Sequence, residues 1–190
     1  MLTEDRRARE RAARRQLIVD TARQVAEAEG WEAVTTRRLS TEIEYSQPVL
    51  YRHFSGMDAV AAAVAIDGFA ELAGLLHTAR AGVETPDEAL TRMARAYLDF
   101  AGDNPAVYDA MFTGRTTLRF AEEDTPPELI AAFEELRQAM SAIAQDGDTL
   151  AEVFWAALHG LTSLSRGGRL RSDYERERVD ALIARFCAAP

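Results

Sequence analysis

Two pairs of apolar residues, each four apart and separated by a break, constrain the fold of this chain most. Leu39 and Ile43 share one face of a short helix, and Leu50 and Phe54 share one face of a second. Between them lies Glu44-Tyr45-Ser46. The spacing predicts two short helices across a tight turn, from Thr35 to Phe54, packed on each other through those four side chains. Thr36 stands where the first helix needs an N-cap. Ser46 is placed to cap the second, and Pro48 falls in its first turn, where a missing N–H costs nothing.

That packing turns Gln47, Pro48, Tyr51 and Arg52 away from the core and leaves His53 near its edge. Such a pair fits a helix-turn-helix whose second helix enters a major groove by its N-terminal end. Gln47 matches an adenine edge, and Pro48 offers apolar contact to a thymine methyl. Tyr51 and His53 carry donors with the reach of phosphate oxygens, which position a protein without reading sequence. Thr36, Arg37, Arg38, Ser46 and Arg52 complete the candidate DNA-facing set. An ordinary helical hairpin with a solvated polar face has the same spacing, and spacing alone does not separate the two.

The run Ser46-Gln47-Pro48-Val49-Leu50-Tyr51-Arg52-His53-Phe54 resembles the recognition helix of TetR-family transcriptional regulators. Gly30 before Trp31 and the Thr35-Thr36 pair agree with it, and the resemblance covers about the first third of the chain. It implies a DNA-binding domain over residues 1–56 and a helical effector-binding and dimerisation domain over 57–190. Two positions depart from the family pattern. Glu44 stands where the turn usually has glycine, and a positive φ there would strain it by about 1 kcal/mol. Met57 replaces a lysine that usually touches a phosphate, so one backbone contact is expected to be missing.

The 190 residues allow one domain or two small ones, with enough chain to bury a core without disulfides or metals. A lone cysteine, Cys187, excludes an intramolecular disulfide and fits a reducing cytoplasm, where this protein is expected to reside. The N-terminus is charged, and no stretch is read as approaching transmembrane length, so no membrane partner is expected.

The net charge of -9 and pI near 4.9 conflict with DNA binding until the charges are located. Residues 1–56 hold ten arginines against nine acids, whereas the remainder holds twelve against twenty-two. Screening limits each charge to about 8 Å, so the local field decides phosphate binding. Six arginines at 6, 7, 9, 11, 14 and 15 precede the first apolar residues of helix one, read as running from about Arg9 to Glu29. They form either a frayed, solvated helix start or an arm that neutralises phosphates or enters a minor groove.

Everything else reads as helix, giving an all-α chain of about nine helices. Leu17, Val25 and Ala28 are assigned to the inner face of helix one. Helix four, from about Asp58 to Arg80, carries Phe69, Leu72 and Leu76 at helical spacing. Pro86 opens a helix with Leu90, Met93, Tyr97 and Phe100 on one stripe, and Pro105–Thr113 a short one with Tyr108, Met111 and Phe112. The mixture of glycine, acids and Pro-Pro over 114–127 predicts a loop. A helix with Leu129, Phe133, Leu136 and Met140 follows, then one bracketed by Gly147 and Gly167-Gly168, then the last from Asp173 to about Phe186.

The string Trp155-Ala-Ala-Leu-His159-Gly160 resembles the Trp-x-x-x-His-Gly signature of a C-terminal domain in one TetR branch. The family context implies a homodimer through the last two long helices, and a close helix crossing would explain Gly160. His159 is read as a core histidine or a polar group at the base of a pocket rather than a metal ligand, since no second histidine or cysteine cluster accompanies it. His77 is given no role. Regulators of this family are typically switched by small molecules, so a pocket is expected among Phe69, Met93, Tyr97, Tyr108, Met111, Phe133, Trp155 and His159. These residues are otherwise plain core. Little charge concentrates there, which points to a neutral or lipophilic effector.

The reading is a DNA-binding regulator, a ligand-released repressor acting as a homodimer on a near-palindromic operator, with no cofactor. A helical dimeric ligand-binding protein with weak or lost DNA binding is the alternative, kept open by Glu44 and Met57. A small helical enzyme is the other. It lacks a nucleophile with a base, a metal set or a glycine-rich phosphate loop. Effector, operator, regulated genes and the sign of regulation are not written in the sequence.

Overall fold

The computed structural model describes residues 2–112, 118–120 and 122–188. Among them are nine α-helices and no strand: α1 Leu2–Glu29, α2 Thr36–Glu42, α3 Gln47–His53, α4 Met57–Arg80, α5 Pro86–Asp103, α6 Pro105–Phe112, α7 Pro127–Ser141, α8 Gly147–Arg166 and α9 Glu175–Cys187. Short 3-10 turns at Trp31–Ala33 and Ser172–Tyr174 precede α2 and α9. By packing the chain forms two compact units: residues 1–68 with 104–119, and residues 69–103 with 120–190. The expected domain boundary at residue 56 falls inside the first unit, which also takes in residues 57–68 and 104–119.

In the first unit Ile18, Val19, Ala22, Val25 and Ala26 form the buried face of α1. Leu17 is 41% exposed and Ala28 is exposed, so of the three inner residues expected there only Val25 is buried. The true face is carried partly by alanines, which add little to a hydrophobic pattern. The α1 helix also begins at Leu2, so the six arginines are helical rather than a frayed start or a loose arm. Leu39, Ile43, Leu50 and Phe54 are all buried, as the two-helix reading requires.

The N-cap of α2 is Thr35, whose hydroxyl accepts from Arg38 N at 3.1 Å. Thr36 is instead the first helical residue. Ser46 does occupy the N-cap of α3, but its side chain makes no capping bond. The helix α2 ends with Glu44 at φ 55°, in the left-handed region. Tyr45 N donates to Ser40 O at 3.0 Å, and Glu44 N to Thr41 O at 3.4 Å. Those two bonds define a Schellman ending, which needs a left-handed residue where Glu44 stands.

A sequence-distant helix completes this unit. The first turn of α6 is gripped by α1: Ala106 N and Val107 N donate to the two carboxylate oxygens of Glu27 at 3.0 and 2.9 Å. Arg23 Nη2 donates to Asn104 Oδ1 at 2.6 Å, and Trp31 Nε1 to Ala106 O at 2.8 Å. Free N–H groups at a helix start need acceptors, and an anion there also opposes the helix dipole. On the other side α6 approaches α4 closely at Gly68, where a Cβ would lie 2.5 Å from Val107 Cγ1 and 2.8 Å from Met111 Sδ.

The second unit packs α5, α7, α8, α9 and the latter part of α4. Its core includes Phe69, Leu72, Leu76, Leu90, Met93, Tyr97, Phe100, Leu129, Leu136, Met140, Phe154 and Leu158, so the stripes predicted on α4, α5 and α7 are buried apart from Phe133, which is half-buried. Phe154 meets Phe186 edge-on, with ring centroids 5.1 Å apart. His77, left without a role by the sequence, lies with Nδ1 3.1 Å from Glu135 Oε1. Arg80 donates to Glu135 Oε2 through Nε and Nη2 at 3.0 and 2.7 Å, fastening the end of α4 to α7. One sequence expectation needs correcting: α4 is long and apolar enough to cross a membrane by length and composition. Half of its most apolar stretch is buried inside the protein, the property of a core helix.

Candidate nucleic-acid interface

The helix α3 stands on Leu50 and Phe54 and presents its other residues outward. Ser46, Gln47, Pro48, Tyr51 and Arg52 are exposed, Tyr51 by 57%, and His53 is half-buried. The orientation is locked from behind by Arg15 of α1. Its Nη1 donates to His53 O at 3.0 Å, and its guanidinium lies 4.1 Å from the Phe54 ring centroid. Arg15 thereby caps the end of α3 and covers its aromatic anchor, a structural use of one of the six N-terminal arginines.

A cleft of about 460 Å³ opens beside α3, lined from α1 by Arg7, Glu10, Arg11 and Arg14 and from the turn and α3 by Tyr45, Val49, Arg52 and His53. The His53 pKa is held below its ordinary value, first by partial burial and then by the charges of Arg14, Arg15, Arg11 and Arg52. The imidazole is therefore neutral at pH 7 and donates through one nitrogen only.

The remaining DNA candidates differ in freedom. Arg37 is exposed, and Thr36 is half-buried. Arg38 is engaged by Glu29 of α1 at 2.8 Å and by Glu42 at 2.9 Å, so it also fixes α2 to α1. Tyr45, which lines the cleft, was not among the sequence candidates. It sits in the turn, where helical periodicity gives no signal.

Of the expected effector residues, Phe69, Met93, Tyr97, Phe133, Trp155 and His159 belong to the second unit, and Tyr108 and Met111 to the first. Within the second unit Phe120 ties three of them together. Its ring centroid lies 5.5 Å from that of Phe69 and 5.1 Å from that of Trp155, and Trp155 lies 6.4 Å from Phe133. Phe120 was missed because it falls in the segment read as loop; residues 113–117 and 121 of that segment lie outside the described residues. Met93 and Tyr97 are fully buried. In the first unit Tyr108 and Met111 are buried, and the Tyr108 ring meets that of Phe112 at a tilt of 54°, with centroids 4.7 Å apart. His159, one turn after Trp155, has its pKa lowered by burial. Burial also raises that of the Cys187 thiol, with Asp87 adding to the shift, so the thiol stays protonated at neutral pH. No cluster of three or more metal-ligating side chains occurs among the described residues.

These features define a helix-turn-helix protein of the all-helical regulator class. Residues 18–64 match the model described as bacterial regulatory proteins, tetR family, and residues 90–187 match tetracyclin repressor-like, C-terminal domain. The HTH-type transcriptional regulator Rv0681 of Mycobacterium tuberculosis is 30% identical over 161 residues, 81% of this chain and 71% of its own length. The HTH-type transcriptional regulator YobS of Bacillus subtilis is 36% identical over 97 residues, 50% of this chain; the chain spans about half of YobS, 49%. Among solved structures, a protein of unknown function from Rhodococcus sp. RHA1 superposes with a TM-score of 0.77 at 23% identity, covering 91% of this chain and 93% of that one. A TetR variant from Acinetobacter baumannii AYE in complex with minocycline gives 0.65 at 17% identity, covering 89% and 93%. The chain belongs to the TetR family, whose members are transcriptional regulators and not enzymes. Neither family model names the Trp-x-x-x-His-Gly branch.

Proposed function

We propose that the protein acts in the cytoplasm as a homodimer, reading a near-palindromic operator with two copies of α3 and releasing it when a small molecule binds. The observation that carries the DNA-reading part is the asymmetry of α3. Gln47, Pro48, Tyr51 and Arg52 face solvent above a fully packed base of Leu50 and Phe54. Two such helices about 34–36 Å apart would enter successive major grooves.

Support for the dimer comes from α8. Val153, Ala156 and Leu164 are exposed, and they flank Gly160, where an added Cβ would meet nothing within 4 Å among the described residues. No contact among the described residues therefore explains a glycine in this helix, which costs about 1 kcal/mol. Close approach by the α8 and α9 of a second copy does, in keeping with a Trp-x-x-x-His-Gly type of C-terminal domain. The effector site centres on Phe69, Phe120, Phe133, Trp155 and His159, with the buried Met93 and Tyr97 in the same unit. Aromatic walls with one neutral imidazole suit a neutral or lipophilic guest. Release requires that this guest bind the DNA-bound and free states with different affinity.

The test is a gel shift on the DNA flanking the protein's own gene. Gln47→Ala and Tyr51→Ala remove exposed side chains and should fold normally. Gln47→Ala should lose about 5- to 150-fold in affinity, the equivalent of about 1–3 kcal/mol for a specific base contact, and Tyr51→Ala should lose affinity through its phosphate contact, on any sequence. Wild-type affinity in both variants would sink the assignment of α3 to the groove.

A further inference from the structure

We infer that Arg7, Arg11 and Arg14 of α1, together with Arg52 of α3, form a rigid rail for the DNA phosphate backbone beside the recognition helix. The inference rests on the DNA-binding reading and extends the contact surface well beyond the helix-turn-helix. The three α1 arginines follow one another at i, i+4 and i+7, so they share one face, and all three line the same cleft as Arg52. Each is exposed, and no ion pair holds any of them among the described residues. Glu10, the one acid on the cleft wall, leans instead toward Arg6, 3.5 Å away. Tyr45 and His53 line the same wall.

The dimensions favour a nucleic-acid backbone over a compact anion. Seven residues of helix span about 10 Å from Arg7 to Arg14. One DNA strand advances about 3.4 Å per phosphate, so the rail faces about three phosphates of one strand. The proton affinity of His53 is lowered first by partial burial and then by Arg14, Arg15, Arg11 and Arg52, three of which line this cleft. The other N-terminal arginines have different uses or directions: Arg15 is committed to His53 O and Phe54, and Arg6 and Arg9 are not on the cleft wall. Because the rail is part of a 28-residue helix, it neutralises phosphates without the ordering cost of a flexible arm.

The experiment measures binding of the full-length protein to a duplex from the flank of its own gene and to a random duplex of equal length, from about 50 to 200 mM salt. The variant Arg7→Gln/Arg11→Gln/Arg14→Gln keeps helix-forming residues and should show wild-type circular dichroism. Its plot of log affinity against log salt should be shallower than wild type by about 2.7, since each phosphate contact contributes about 0.9. Over that range the wild type should lose about 40-fold more affinity than the variant. The loss should be equal on both duplexes, unlike that of Gln47→Ala, which should fall on the flanking duplex alone. Arg9→Gln, which removes a single charge from another face, should leave the slope within about 0.5 of wild type, whereas the same change at any one rail arginine should lower it by about 0.9. An unchanged slope in the triple variant, with wild-type binding intact, overturns the rail and leaves the helix-turn-helix reading standing. Absence of binding by the wild type to either duplex overturns both. Stabilisation of the wild type, but not of the variant, by millimolar inorganic phosphate at constant ionic strength, with no change in slope, would assign the cleft to a small anion and overturn the rail.

Discussion

Replacing Glu44 by glycine should stabilise this protein, and the size of the gain follows from one dihedral angle. Glu44 sits at φ 55° because the Schellman ending of α2 requires a left-handed residue at that point. An L-residue with a Cβ costs about 1–2 kcal/mol in that region. Glycine removes this cost but gains freedom in the unfolded chain, which takes back about 0.4–1 kcal/mol. The net expectation is about 0.5–1 kcal/mol. For a chain of this length each kcal/mol moves the melting temperature by about 2–4 °C, so Glu44→Gly should melt about 1–4 °C higher. Glu44 is exposed, so the change removes no core contact. The control is Glu44→Ala, which deletes the same carboxylate yet keeps the Cβ. Thermal melts followed by circular dichroism should rank glycine above alanine, with alanine near wild type. Equal gains for the two would trace the effect to charge and refute the backbone argument. Glu44→Asn should fall between them, because asparagine tolerates the left-handed region better than glutamate.

Gly68→Ala and Gly74→Ala should have opposite signs. At Gly68 the new methyl meets the buried Val107 and Met111, and overpacking of about 1–3 kcal/mol should exceed the helix-propensity gain, whereas Gly74 faces open space and should gain about 1 kcal/mol. Urea titrations of both variants measure this directly. Glu27→Ala should destabilise by about 2–3 kcal/mol, since two N–H groups of α6 lose an ionised acceptor; the same titration reads it. The pKa of His159 is lowered by burial, so the unfolded chain binds a proton more readily than the folded one. Stability should accordingly be unaffected above pH 6.5 and fall as pH drops below it toward the folded value, and His159→Gln should flatten that part of the melting profile.

The helix-turn-helix was readable because its determinants are local. Leu39, Ile43, Leu50 and Phe54 declare their faces by spacing alone, and Pro48 marks where α3 starts. The strain at Glu44 was also foreseeable, since the chemistry of a turn is set by the residue that occupies it. The inner face of α1 was misplaced because alanines at 22 and 26 carry part of it. The start of α1 was placed too late because a charged stretch reads equally as a frayed start or an arm, although Arg6 and Glu10 support helix at i, i+4. Nothing local marks Glu27 as a partner of α6, about eighty positions away, or Phe120 as the link between Phe69 and Trp155. Both depend on where the chain returns, and an acid on a helix or a phenylalanine among acids and prolines looks the same either way.

The grip of α1 on α6 bears on how such regulators can be recombined. A chimera that joins residues 1–68 of this chain to a foreign effector domain would remove Ala106, Val107 and Asn104, which the Glu27 carboxylate, the Arg23 guanidinium and the Trp31 indole N–H reach. The DNA-reading head is not a cassette that ends where its motif ends. Its inheritable unit includes a helix encoded in the middle of the other domain, and any exchange of heads between relatives must carry α6 along with α1.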